Sequence, residues 1–303
     1  MNIDLCAINR FIHGGVMPGI QPTYGIIETG RNVRAFTKGH QQEFWALLVP
    51  ILPWIIGLDL VDVLGNMMWP ALKGKFVFGS LVAGYFCACF IIGWHRVLLH
   101  GPERAKPVDP FHPEKSDLAF IGMGWLLVVA GFALVVFSTV LGAALFSAVS
   151  LRPAVGLLTL AAILGVLYCG YRLCFYFPAK AVRSHMSFKE SFDRTDGYVW
   201  RLLCTPFVGA WRLFLGCFAY SFAVGFIAGF IGHVIGVQKG VPAPMGFQFF
   251  VGLLQLPMAF YFIPLFTAFG VGVLSNYYQY SLQNDPQRHE KPRGRWRRVE
   301  QGE

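Results

Sequence analysis

Residues 213–236 read LFLGCFAYSFAVGFIAGFIGHVIG, 24 positions without a single Asp, Glu, Lys or Arg. A helix apolar on every side belongs in lipid or deep in a core. At about 1.5 Å per residue this one has the length of a bilayer's hydrocarbon layer, near 30 Å. Five further stretches have the same character: Phe44 to Leu64, Phe76 to Leu98, Leu118 to Val140, Val155 to Phe177 and Phe247 to Leu274. The third stays apolar as far as Ser150, so it is expected to tilt, project beyond the bilayer or break near Gly142. Composition agrees. Hydrophobic residues make up 55% of 303 and charged residues 14%, against about 25% in soluble domains. The expected fold is all-α, a polytopic bundle of six transmembrane spans.

Charge then orients the spans. Arg and Lys number 21 in the N-terminal tail, at the end of span two and the loop after it, between the ends of spans four and five, and in the C-terminal tail. The other three connections hold four: Lys73, Lys75, Arg152 and Lys239. Positive residues collect on the cytoplasmic side, which places both termini there. The expected division is a tail over 1–43, the membrane domain over 44–280 and a basic tail over 281–303. The net charge of +9 is explained by a basic face beside anionic lipid headgroups, and no nucleic-acid partner is expected. The run from Arg288 to Arg298 reads as a topology signal and surface anchor. Nothing in the first forty residues predicts a cleaved signal segment. Seven cysteines without a CxxC spacing predict free thiols rather than a disulfide frame.

Between spans four and five, residues 187–197 differ in character. Ser187-Phe188-Lys189-Glu190 has the form of a capping box, Phe188 and Phe192 share one side, and Gly197 suits a helix stop. This predicts a short helix lying in the cytoplasmic interface. Together with Trp94-His95-Arg96 closing span two and Phe177-Pro178-Ala179 closing span four, the run Ser187 to Arg201 resembles bacterial six-span proteins of the YciC-like, glycerophosphodiester-phosphodiesterase membrane-domain-like group. In that group a Trp stands at the position of Phe192 and an Asn at that of Tyr198. The resemblance implies the six-span fold and a bacterial inner-membrane setting, and carries no catalytic residues.

Candidate functional residues are few. Asp59 and Asp62 are the only acidic residues in a span, and three positions apart they share a helix face. Measured from Phe44 at 1.5 Å per residue, they stand about 22 Å and about 27 Å along the helix, near its outer edge. Pro50 and Pro53 in the same span predict a bend. His95 and His233 fall on opposite sides of the bilayer and cannot share one haem iron, and His95, His100, His112 and His185 match no zinc spacing. No GxSxG, Walker loop or HExxH occurs, so neither a catalytic site nor a cofactor is expected. Gly225, Gly229, Gly232 and Gly236 form a small-residue strip suited to close helix packing, within the chain or against a partner. Trp94 with Arg96, Tyr171 with Arg172, and Trp200 with Arg201 are expected as headgroup-level anchors, aromatic rings beside snorkelling cations. These features predict a non-catalytic accessory or scaffold subunit, or an envelope-organising protein, that forms homo-oligomers or joins a larger complex. A small transporter or channel using Asp59 and Asp62 is the second expectation, and a lipid-modifying enzyme the third.

Overall fold

The computed structural model describes residues 19–68, 78–146, 152–236 and 244–284, and every regular element among them is helical. In chain order these are α1 (Ile26–Gly39), α2 (Gln41–Leu48), α3 (Leu52–Met68), α4 (Phe78–His100), α5 (Lys115–Phe146) and α6 (Arg152–Leu173). Then follow α7 (Tyr176–Ala181), α8 (Phe188–Arg194), α9 (Val199–Gly209), α10 (Trp211–Val234), α11 (Met245–Pro257), a π-turn (Met258–Phe262) and α12 (Ile263–Asn284). The tail from Arg288 to Arg298 and Lys73, Lys75 and Lys239 lie outside the described residues.

Five helical stretches are long and apolar enough to cross a membrane. The pair α2 and α3, bent by 43°, passes the same test when the two are taken together, which gives five spans or six. The chain is therefore an all-α, multi-pass membrane protein. The bend falls where Pro50 and Pro53 were expected to place it, since proline lacks the N–H that would continue the helical ladder. The over-long third span solves its length by continuing: α5 is one helix of 32 residues, unbroken at Gly142. The last span relaxes at Pro257. There the Met258 N–H bonds to Gln255 O, and the Tyr220 hydroxyl of α10 donates to the Leu254 carbonyl. A neighbour thus satisfies a carbonyl that lipid could not.

Packing is uneven. The apolar window of α4 is 61% buried, those of α6 and α10 only 6%, so α4 is the central post and the α5–α6 and α10–α11 hairpins stand largely open. The core gathers at the basic end of the spans. Val33 of α1, Phe44 of α2, Trp94 and Leu98 of α4, Phe175 before α7 and Tyr277 of α12 are all essentially inaccessible there.

This corrects the expected boundaries. Residues 26–39 belong to the folded body as α1, and α1 meets α9 almost backbone to backbone: a Cβ added to Gly30 would lie 2.7 Å from the Gly209 Cα. A buried amide fastens the segment before α1. Asn276 Oδ1 accepts from the Thr23 N–H at 3.0 Å, and Asn276 Nδ2 donates to the Thr23 carbonyl at 2.7 Å.

Candidate functional site

The polar chemistry of the molecule concentrates in that basic-end layer, on two arginines that close even-numbered spans. Arg96, one turn before the end of α4, is buried and fully engaged. Its Nη2 meets Asp117 of α5 at 2.5 Å, its Nε donates to the Ala181 carbonyl at 2.9 Å and its Nη1 to the Lys106 carbonyl at 3.3 Å. Arg172, at the end of α6, pairs with Asp196 at 2.5 Å and lies 4.2 Å from the Phe192 ring centre.

These contacts correct the reading of the anchors. Trp94 is completely buried, and its indole N–H donates to the Ala268 carbonyl at 3.1 Å. Tyr171 is half-buried and packs against the same core. Arg201 donates to the Gly197 carbonyl and lies 3.8 Å over the Tyr24 ring. Of the expected anchors only Trp200, 69% exposed, stands free to meet headgroups. The ends of spans two and four are roofed by α7, α8 and the loop before α5, so what reads as a membrane boundary is protein interior.

The short helix α8 forms where the capping sequence places it: the Ser187 hydroxyl accepts from the Glu190 amide at 3.1 Å, and Gly197 has φ of 78°. The Glu190 carboxylate accepts from Arg194 Nε at 3.1 Å. Ser191 and Arg194 turn inward, with Ser191 Oγ accepting from the Tyr176 amide at 3.0 Å, while Phe188 and Phe192 stay partly exposed. A cleft of about 460 Å³ lies beside this helix, lined by Arg172, Lys189, Glu190, Asp193, Arg194 and Asp196 among others. Its charges are of both signs, with Arg172 paired to Asp196 and Arg194 to Glu190.

A second cleft, of about 180 Å³, is lined by Arg96, His100, Arg104, Lys106 and Arg183 with Ala181 and Val182. Arg183 is the one non-glycine residue with positive φ among the described residues, at 61°. It occupies the left-handed stop of α7: its amide bonds to Lys180 O at 3.0 Å and that of Ser184 to Ala179 O at 2.8 Å. Glycine usually takes this position, and an L-residue there costs about 1–2 kcal/mol. The side chain so placed pairs with Glu114.

The two acidic candidates separate. Asp62 is buried and accepts from the Gly79 and Ser80 amides and the Ser80 hydroxyl, each at 2.6 Å. It thereby caps the start of α4, satisfying amides that the helix leaves open. Asp59 is exposed. The two remain within electrostatic reach of each other, one engaged in the cap and the other facing outward.

The histidines separate as well. His95 is buried and bonded to Ser275 at 2.8 Å. His112 pairs with Asp109, whose carboxyl the Phe111 amide and His112 hold below the usual carboxylate range. No group of three His, Cys, Asp or Glu among the described residues is placed to hold a metal ion.

The glycine strip of α10 divides into three parts. Gly232 faces the chain's own Phe247 ring, 3.2 Å from where a Cβ would stand. Gly236, with φ of 75°, lies beyond the helix in the left-handed turn that ends it. A Cβ added at Gly225 or Gly229 would meet nothing within 4 Å outside its own helix among the described residues. With Ser221 they make a groove four residues in period. Beside it runs a ridge of Phe222, Phe226 and Phe230, exposed by 68%, 67% and 62%. Sequence periodicity displayed the glycines but not which of them the bundle already uses. No known protein family, curated protein or solved structure matches the chain.

Proposed function

We propose that this is a non-catalytic multi-pass protein of a bacterial inner membrane, an accessory or scaffold subunit that assembles with a second copy of itself. The groove beside the phenylalanine ridge on α10 carries this reading. Ridges at a four-residue period fit grooves of the same period. A helix bearing both side by side is complementary to its own copy across a two-fold axis. In lipid, such contact rests on close van der Waals packing, which small residues permit. The alternation of basic connections supports cytoplasmic termini, and the likeness of Ser187 to Arg201 to the YciC-like group supports the bacterial setting. The transport reading loses its main support once Asp62 is occupied in capping α4.

Gly229→Leu tests assembly. A branched side chain in the groove overpacks the contact by about 1–3 kcal/mol, so the dimerisation constant in bilayers, measured by single-molecule photobleaching, should fall about tenfold or more. Thermal stability in detergent should stay at the wild-type value, because the side chain meets nothing of its own bundle. Gly232→Leu, pressed against Phe247, should instead lower stability. A wild-type protein that is monomeric at every protein-to-lipid ratio would remove the proposal.

A further inference from the structure

The small cleft at the end of α4 has a composition that nothing in the bundle requires. Three elements converge on it: the last turn of α4 with Arg96 and His100, the turn after it with Arg104 and Lys106, and the exit of α7 with Arg183. No acidic residue lines it. Asp117 and Glu114 neutralise Arg96 and Arg183 from the side. The side chains of Arg104, Lys106 and His100 are left with no hydrogen-bonding or ion-pair partner among the described residues. Arg104 and Lys106 add two cations beside Arg96 and Arg183 with no counter-charge of their own in the lining, and an anion bound there offsets their mutual repulsion. Arg96 is held by three contacts and the Arg183 side chain is paired with Glu114, so two sides of the cleft carry placed cations.

Size selects the ligand. At about 180 Å³ the cleft is below the roughly 300–1,000 Å³ of sites that enclose whole metabolites, and suits a single phosphate group with its immediate substituent. Position points the same way. The cleft lies at the end of a 23-residue span, and basic pockets between spans are a recognised way of holding phospholipid headgroups. We infer that this cleft binds a phosphate group, presented by an anionic phospholipid headgroup or by free phosphate. The inference does not depend on assembly through α10, which involves other residues.

The test uses the full-length protein in neutral maltoside micelles, titrated with short-chain phosphatidylglycerol, with phosphatidylcholine and with inorganic phosphate. Binding is read by calorimetry. The wild-type protein should bind phosphatidylglycerol saturably and phosphatidylcholine more weakly, because its choline cation meets the basic wall. Arg104→Gln with Lys106→Gln removes two cations that support no contact in the fold. It should weaken phosphatidylglycerol binding about thirtyfold, about fivefold for each charge. Arg31→Gln with Lys38→Gln removes the same charge from exposed positions on α1 and should stay within about twofold of wild type.

Binding of inorganic phosphate with the same dependence on Arg104 and Lys106 would identify free phosphate as the source. Binding of phosphatidylglycerol alone would identify the lipid. Equal weakening by the two double variants would show a diffuse basic surface and overturn the site. So would a wild-type protein that binds neither probe.

Discussion

Arg96→Met should lower the unfolding free energy by about 3–5 kcal/mol, because it leaves the Asp117 carboxylate buried without its cation. The Ala181 and Lys106 carbonyls lose donors in the same step, which adds to the cost. A headgroup anchor would behave otherwise: a snorkelling cation at a surface contributes about 1 kcal/mol or less. Denaturant or thermal unfolding in detergent separates the two. The pair also predicts a rescue. Arg96→Met combined with Asp117→Leu should recover most of the loss, since replacing both members of a buried ion pair by apolar residues is often neutral or stabilising. No recovery in the double variant would mean that the arginine acts through something other than Asp117.

Trp94→Ala should cost a further large amount, about 3–5 kcal/mol, as expected for emptying a fully buried aromatic site. The ring packs edge-on against Phe44 and Phe36, with centroids 5.7 Å and 6.3 Å away, and its N–H holds the Ala268 carbonyl. Trp94→Phe should restore most of the packing and leave that carbonyl without its donor, for a loss of about 1–3 kcal/mol. An interfacial tryptophan would tolerate both changes with little effect on stability. Measured losses below about 1 kcal/mol for both variants would contradict the buried placement.

These two residues show where sequence reasoning succeeds on this chain and where it stops. Hydropathy over a fixed length is enough to find the spans, because lipid imposes one requirement on every residue of a spanning helix. Proline chemistry is enough to place the bend of the first span, and side-chain capping to start α8 at Ser187. The rule that an aromatic ring and an arginine at a span's end mark the headgroup layer failed at Trp94 and Arg96. It assumes lipid or water beyond that point, whereas here a roof of α7 and the loop before α5 follows.

The helix α1 was missed for a related reason. Its sequence, IIETGRNVRAFTKG, holds no apolar run, and its buried residues are Thr29, Gly30 and Val33. Its backbone approach to α9, Gly30 on Gly209, joins single glycines from separate helices, so no periodic pattern on either one announces it. The α10 strip presents the opposite case. The pattern was plain, yet only the arrangement of α11 against Gly232 reveals which glycines remain open.

The central claim is that the open groove of α10 receives a second copy of the chain, and disulfide cross-linking in native membranes tests it most directly. Ser221→Cys, in a chain whose native cysteines are replaced by alanine and whose folding is verified, places one thiol in the groove. Leu157→Cys places one on the exposed side of α6 as a control for random collision. Mild oxidation should give a covalent species of twice the 33.8 kDa chain mass for Ser221→Cys and little for Leu157→Cys. Equal yields at both positions, or none at Ser221, would contradict assembly through α10.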